Sequence, residues 1–396
     1  MNFYYVALIK IFVVIAVLLL TLLYLQWVER KVIAHIQVRP GPYRVGPHGL
    51  LQPIADTLKL LTKEDLMPAG VNKFLYLLAP FMAIALALIS ISVIPFGPVI
   101  EVAGTVTAMQ VTDISIGVLF ILAISSLTVY GIVLAGWSSN SKYPLLGGLR
   151  ASAQMVSYEL PLGMAVAAVL LLSNTLSLRE IVYTQANYYW GFFPAWNVFR
   201  APFPQVVSFI VFLVAVFAET NRIPFDLPEA ETELVAGFHT EYSSMKFAGF
   251  FMAEYANMIT VSAMATTLFL GGWLPLWPAE YGSSWFPPAV FLALAALAFW
   301  GAAGRARKPD RKTLPIVGVV FFLFAVLFLV QVVNFIVVPL FWFAAKTGLI
   351  LFVFMWVRGT LPRFRYDQLM SFTWKFLFPV AIVNLMVTGL LVGLIG

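Results

Sequence analysis

The sequence of 396 residues contains no cysteine. That excludes disulfides, thiolate-held iron–sulfur clusters and cysteine nucleophiles. Histidine is scarce too. His35, His48 and His239 all lie outside the apolar runs, which leaves no intramembrane pair for a haem, and His35 and His48 lack metal-ligand spacing. Charged residues make up only 11% of the chain against 61% hydrophobic. What fills the sequence is uninterrupted apolar chain, in several runs exceeding the roughly 18 residues that suggest a membrane span. The alternating segments of about ten residues that mark a membrane β-barrel are missing. Composition therefore predicts an all-α, polytopic transmembrane helical bundle. The first run ends in Glu29-Arg30-Lys31 rather than in small residues, so it reads as a retained span and not a cleaved signal. The net charge of +6 does not point to nucleic acid, because Lys and Arg gather in particular loops, as a topology signal requires.

Ten spans are expected: Ile11–Val28, Phe74–Pro95, Ile114–Trp137, a fourth from Arg150 to Leu172, Pro204–Ala218, Phe247–Trp273, Pro287–Gly304, Leu314–Asn334, Ile336–Val357 and Phe376–Ile395. Thr313–Val357 must divide, since its 45 residues carry one charge, Lys346, and as one helix would run about 67 Å, twice the ~30 Å hydrocarbon core. Leu50, Leu51, Ile54, Leu58 and Leu61 recur at helical spacing in a segment too short to cross, which reads as an interfacial amphipathic helix over Gly49–Thr62. The loops rich in Lys and Arg are 29–73, 138–150, 219–246, 305–312 and 358–375, and they alternate with loops that hold only Arg179 and Arg200. This places the five basic loops in the cytoplasm and both termini outside. No internal repeat or boundary divides residues 1–396, so they read as one membrane domain.

Against this apolar background one stretch stands out. Between Ala218 and Phe247 lie Glu219, Asp226, Glu229, Glu231, Glu233 and Glu241, with Glu254 just inside the next span. Carboxylates neither favour insertion nor direct topology, so proton or ligand handling is the natural reading. Asp226-Leu-Pro-Glu229 has the form of a helix start, with Asp as N-cap and Pro in the first turn. Asp226, Glu229 and Glu233 would then share a face. The competing reading is a solvated acidic surface for a basic partner. Glu159, Glu254 and Lys346 sit inside spans, where an ionisable group costs at least ~2.5–3.5 kcal/mol and is a functional candidate by default. Glu219 sits at a span end, and Pro161 marks a kink beside Glu159. Alternatively, Lys346 pairs with one of the glutamates and only fixes packing. Arg39, Arg44, Arg358, Arg363 and Arg365 serve topology or line the entrance for an anion or a quinone headgroup.

The stretches Glu29-Arg-Lys31, Arg39-Pro-Gly-Pro-Tyr-Arg-Val-Gly46, Leu51-Gln-Pro-Ile-Ala-Asp56 and Arg150 to Glu159 resemble one known family. So do Pro224-Phe-Asp-Leu-Pro-Glu-Ala-Glu231, Glu241 to Phe247, Trp356-Val-Arg358 and Leu361 to Asp367. The family is that of the H-type membrane subunits of bacterial NADH–quinone oxidoreductase (respiratory complex I), the counterparts of mitochondrial NADH dehydrogenase subunit one. The resemblance runs through nearly the whole chain. It implies a protein of the bacterial cytoplasmic (inner) membrane that forms a quinone-access chamber and couples quinone reduction to proton translocation. Quinone would be the substrate, with FMN and iron–sulfur clusters held by partner subunits. The partners implied are peripheral quinone-module subunits and antiporter-like membrane subunits. Carried over by motif, Glu159, Glu219 and Glu254, with Lys346, would form the proton relay. Asp226, Glu229, Glu231 and Glu233 would be chamber carboxylates, and Arg39, Arg44, Asp56 and Lys59 would belong to the first-loop wall. The family has eight spans, so residues 274–335 read as an inserted two-helix hairpin that preserves the orientation of everything after it. The membrane subunit of an energy-converting hydrogenase, or of a quinone reductase with another donor, shares parts of the acidic loop and stays open as an alternative. A secondary transporter is the more distant one, since no paired repeat is visible.

Overall fold

A computed structural model describes residues 3–102, 105–229, 231–304 and 310–395. A helix stands at each of the ten places where a span is expected. In chain order the helices are α1 (Phe3–Ile36), α2 (Gln52–Thr62), α3 (Lys73–Ser90), α4 (Gly117–Ser138), α5 (Lys142–Ser173), α6 (Leu178–Thr184) and α7 (Val206–Glu219). There follow α8 (Glu231–Leu234), α9 (Ser244–Phe269), α10 (Phe286–Ala303), α11 (Asp310–Leu329), α12 (Gln331–Thr360), α13 (Tyr366–Phe372) and α14 (Phe378–Ile395). Eight of the described helices are long and apolar enough to cross a membrane; α7 is apolar but shorter. The chain is a multi-pass helical membrane protein. The basic loop expected over 305–312 falls largely outside the described residues.

The core lies where α3, α4, α5, α7 and α9 meet. Tyr76, Ile121, Tyr158, Phe212, Met258 and Phe269 are all but inaccessible there. α9 is the most enclosed element: nearly every residue from Ala253 to Phe269 is buried. By contrast, α1 turns Tyr4, Leu8, Phe12 and Leu20 outward, as a helix facing lipid does. α2 behaves as its pattern predicts. It buries Pro53, leaves Leu51, Ile54, Leu58 and Leu61 exposed, and is tied to α1 by an Arg30–Asp56 ion pair of 2.6 Å.

α5 begins two turns earlier than the sequence suggests, at Lys142 rather than after Arg150. Pro144 is tolerated because the first turn of a helix has no intrahelical partner for its N–H. Gly147 in this extension is required by contact, since a Cβ there would lie 2.7 Å from Phe238 N and 2.8 Å from Pro228 O. α5 thus presses directly on the acidic loop. α10 and α11 pack chiefly on each other. They reach the rest of the bundle through aromatic contacts with α12: Phe286 stacks on Trp342 at 5.3 Å, and Phe328 meets Phe341 at 5.8 Å. The first residues of α11 also touch the first loop, where His48 Nε2 and Thr313 Oγ1 are 2.9 Å apart.

Candidate functional site

The loop after α7 folds back beneath the bundle instead of extending into water. Gln154 of α5 fastens it, donating from Nε2 to Ala218 O at 2.7 Å and to Phe225 O at 2.8 Å. Phe364 N donates to Pro224 O at 3.0 Å, and Arg363 binds Asp226 at 2.6 Å. Further along, Phe238 N donates to Pro228 O at 3.3 Å, closing a tight return at Gly237, whose φ is +58°. Tyr76 and Tyr242 stack at 4.1 Å, and Tyr76 OH donates to Glu241 O at 2.6 Å, fixing the loop's far end.

This fold-back carries Arg222 into a buried cluster of charges. Its Nε lies 2.7 Å from Glu254 Oε1 without an aligned hydrogen bond, and its Nη1 lies 3.3 Å from Glu29 Oε1. The guanidinium also rests 4.2 Å from the Tyr255 ring centre. Glu29 accepts from Tyr255 OH at 2.6 Å and is bound by Arg358 as well. Four elements, α1, the acidic loop, α9 and α12, therefore meet at one carboxylate that is 3% exposed. Burial alone would lower the pKa of Arg222, but Glu254 and Glu29 more than offset it and hold it above the ordinary range. Glu229 answers oppositely. Burial raises its carboxyl well above the usual range, and the charges of Glu254 and Asp226 add to that. His239, with Nδ1 4.0 Å from Glu229 Oε1, is pushed down to about 4 by burial, so it is neutral at pH 7.

A string of small cavities leads away from this cluster. The first, of about 40 Å³, is lined by Glu219, Glu229, His239, Glu254, Asn257 and Thr128, among others. Two more, of about 10 Å³ each, follow. One reaches Ser125, Asn257 and Thr260; the other reaches Ser126, Tyr158 and Glu159. Since a water needs roughly 10–15 Å³ of this kind of volume and two to four polar partners, the first can hold about three waters and each of the others about one. Glu219 lines all three. At the far end Glu159 accepts a hydrogen bond from Ser126 and stands exposed on the surface of the chain.

The structure therefore brings together Glu254, Glu229, Glu219 and Glu159 of the residues singled out by sequence. Others it sets apart. Among the described residues Lys346 meets no glutamate: Nζ donates to Leu270 O at 2.7 Å and Leu274 O at 2.8 Å and lies 4.4 Å from the Trp196 ring, just beyond the C-terminal end of α9 and away from Glu254. The expected helix start at Asp226 is corrected. Residues 227–229 form turns, and the helix begins only at Glu231, because Asp226 is held by Arg363 instead of capping. Its carboxylates consequently diverge, with Asp226 on Arg363, Glu229 on the first cavity and Glu233 on Arg150 at 2.7 Å. The side chain of Glu231 lies outside the described residues. In the first loop, Asp56 pairs with Arg30, Arg39 donates to Gln37 at 2.8 Å, and Arg44 and Lys59 are exposed. Sequence alone does not single out Glu29, Arg222, Tyr255 and His239 as site residues. Glu29 is masked by its basic neighbours Arg30 and Lys31, and the clue to Arg222 is its place as the first cation of an acidic loop.

A family model described as NADH dehydrogenase matches residues 9–310 and 314–389. The chain is 67% identical over 392 residues to the NADH-quinone oxidoreductase H subunit numbered 1 of Solibacter usitatus (strain Ellin6076), covering 99% of this chain and 98% of that one. It is 51% identical over 402 residues to the NADH-quinone oxidoreductase H subunit numbered 2 of Koribacter versatilis (strain Ellin345), covering 99% and 98%. With the corresponding protein numbered 2 of Geobacter metallireducens (strain ATCC 53774 / DSM 7210 / GS-15) the identity is 47% over 403 residues, covering 99% and 97%.

Proposed function

The chain belongs to the NADH dehydrogenase family, among the H-type subunits of NADH-quinone oxidoreductase, and from that premise we propose that it receives quinone near its acidic loop and passes the resulting charge change into the membrane through buried glutamates. The observation that carries this reading is Glu219, shared by all three cavities between the charge cluster and Glu159.

Reduction of a quinone to quinol takes up two electrons and two protons. The electrons come from FMN and iron–sulfur clusters in partner subunits. The chain's own contribution is electrostatic. Glu29, Asp226, Glu229 and Glu254 face Arg222, Arg358 and Arg363. Four carboxyls against three guanidiniums in low dielectric favour one proton held within the cluster, and Glu229, pushed upward by burial, is one carboxyl that can hold it. Taking it for quinol formation leaves a negative charge beside Glu254 and draws the next proton along the water-sized cavities from Glu219. Glu159, ionisable and exposed within a span, must be covered by protein or water. It is the natural handover to an antiporter-like membrane subunit. The complex would lie in the bacterial inner membrane, with the acidic loop in the cytoplasm and both termini outside. Residues 274–335 form the added hairpin of a single membrane domain.

The test uses the whole complex in membranes. Glu254→Gln should lower proton pumping coupled to NADH:quinone reduction at least tenfold while leaving assembly and NADH oxidation by an artificial acceptor near wild type. Wild-type pumping in that variant defeats the relay. Hydrogen evolution without quinone reduction would move the chain to the hydrogenase reading.

A further inference from the structure

Two cations break the rule that the loops opposite the acidic loop lack Lys and Arg, and the structure separates them. Arg179 is paired with Asp113 at 2.7 Å. Arg200 is half-buried, and its Nη1 is enclosed with no hydrogen-bond partner among the described residues. No acidic residue occurs between Glu180 and Glu219 or from Phe378 to the end of the sequence, so nothing in the adjoining segments neutralises it. Glu180 itself is engaged by Thr175.

Three residues on, Phe203 lines one end of a groove between α7 and α14. The groove has a volume of about 360 Å³ and is completed by Val207, Pro379, Val380, Val383, Asn384 and Val387. Its apolar walls are open to the surface: Val207, Val383 and Val387 are exposed. The polar groups behind it are spent within the protein, since Asn384 Nδ2 donates to Ser208 Oγ at 2.6 Å and Gln205 Nε2 to Thr388 Oγ1 at 3.2 Å. These bonds also fix the alignment, with Val387 level with the start of α7 and Pro379 deeper in the membrane. From Pro379 to Val387 the groove runs about 12 Å along the helix.

α7 is 14 residues long, about 21 Å, and cannot fill a hydrocarbon core of ~30 Å. The segment before α7, which holds Arg200, would complete the crossing at that end, and would set this guanidinium near the boundary between acyl chains and headgroups. There an unmatched arginine attracts phosphate.

We propose that Arg200 and the α7–α14 groove bind one anionic phospholipid, its phosphate on Arg200 and one acyl chain along Val207, Val387, Val383 and Val380. The segments that form the site, 181–218 and 378–396, hold no Asp or Glu to receive the ammonium of a zwitterionic headgroup, so phosphatidylglycerol is preferred over phosphatidylethanolamine. The site lies on the membrane face opposite the acidic loop and is independent of the quinone reading.

The test is photo-crosslinking in the intact complex in native membranes. Benzoylphenylalanine at Val387 should give a phosphatidylglycerol adduct by mass spectrometry, enriched over the phosphatidylethanolamine adduct relative to the same probe at the exposed Phe12 of α1, on the same side of the membrane. Arg200→Gln should reduce that enrichment about tenfold, the scale of one charge-assisted hydrogen bond. Val383→Trp should remove both lipid adducts at Val387 and leave those at Phe12. Adducts to a peptide of another subunit, or an enrichment that Arg200→Gln does not change, would overturn the proposal.

Discussion

Replacing Arg222 with methionine tests whether the buried cluster is a compensated unit. Arg222 is 5% exposed and serves two carboxylates, Glu254 at 2.7 Å and Glu29 at 3.3 Å. At an effective dielectric of about 20, each contact contributes on the order of 4 kcal/mol of attraction. Desolvating the guanidinium returns several kcal/mol of the sum. Removing it therefore costs about 3–5 kcal/mol net, mostly because Glu254 and Glu29 are left with Arg358, which is itself one-third exposed. The same account predicts rescue. Glu254→Gln removes the orphaned charge, so the double variant should recover about 2 kcal/mol of the loss, roughly thirtyfold in a rate. The readout is the rate of irreversible heat inactivation of the purified complex, compared across wild type, both single variants and the double variant. Additivity within about 0.5 kcal/mol would refute the pairing.

Other consequences follow from the loop. His239 is held at about 4 in the fold against 6.5 when unfolded, so the folded chain binds fewer protons. Stability is then complete above about pH 7 and falls by about 3 kcal/mol as pH drops from 6.5 to 4. Thermal midpoints measured against pH should lose this component in His239→Asn. Gly237→Ala places a Cβ 1.8 Å from Pro228 O at φ +58°, which no side-chain movement relieves. It should abolish assembled complex on native gels. Gly282→Ala, with φ +81° and nothing within 4 Å, should cost only about 1–2 kcal/mol and assemble.

The helices are legible in the sequence because apolar length is a local property. α7 and α9 can be read from it even though one is short and the other carries Glu254. The charge cluster is not legible, because its members, Glu29, Arg222, Glu254 and Arg358, come from four separate elements. No spacing rule joins residues so far apart in sequence. Local rules also mislead where tertiary contacts outweigh them. Asp226-Leu-Pro-Glu229 has good capping residues, yet the contacts of Asp226 with Arg363 and of Phe238 with Pro228 select a turn. Lys346 shows the same limit: its position inside an apolar run marks it as important, but its partners are backbone carbonyls, which sequence does not advertise.

That lysine has a mechanical meaning. α9 is gripped at two heights: partway along it Glu254 is held by Arg222, and just beyond its end the carbonyls of Leu270 and Leu274 are held by Lys346. Sixteen residues, about 24 Å, separate the clamps. A helix held at these two heights resists sliding as a piston, because a shift by even part of a turn's 5.4 Å pitch would lengthen the contacts at each. The helix between the two clamps is thereby a fixed rail, past which neighbouring side chains can turn while the backbone keeps its height.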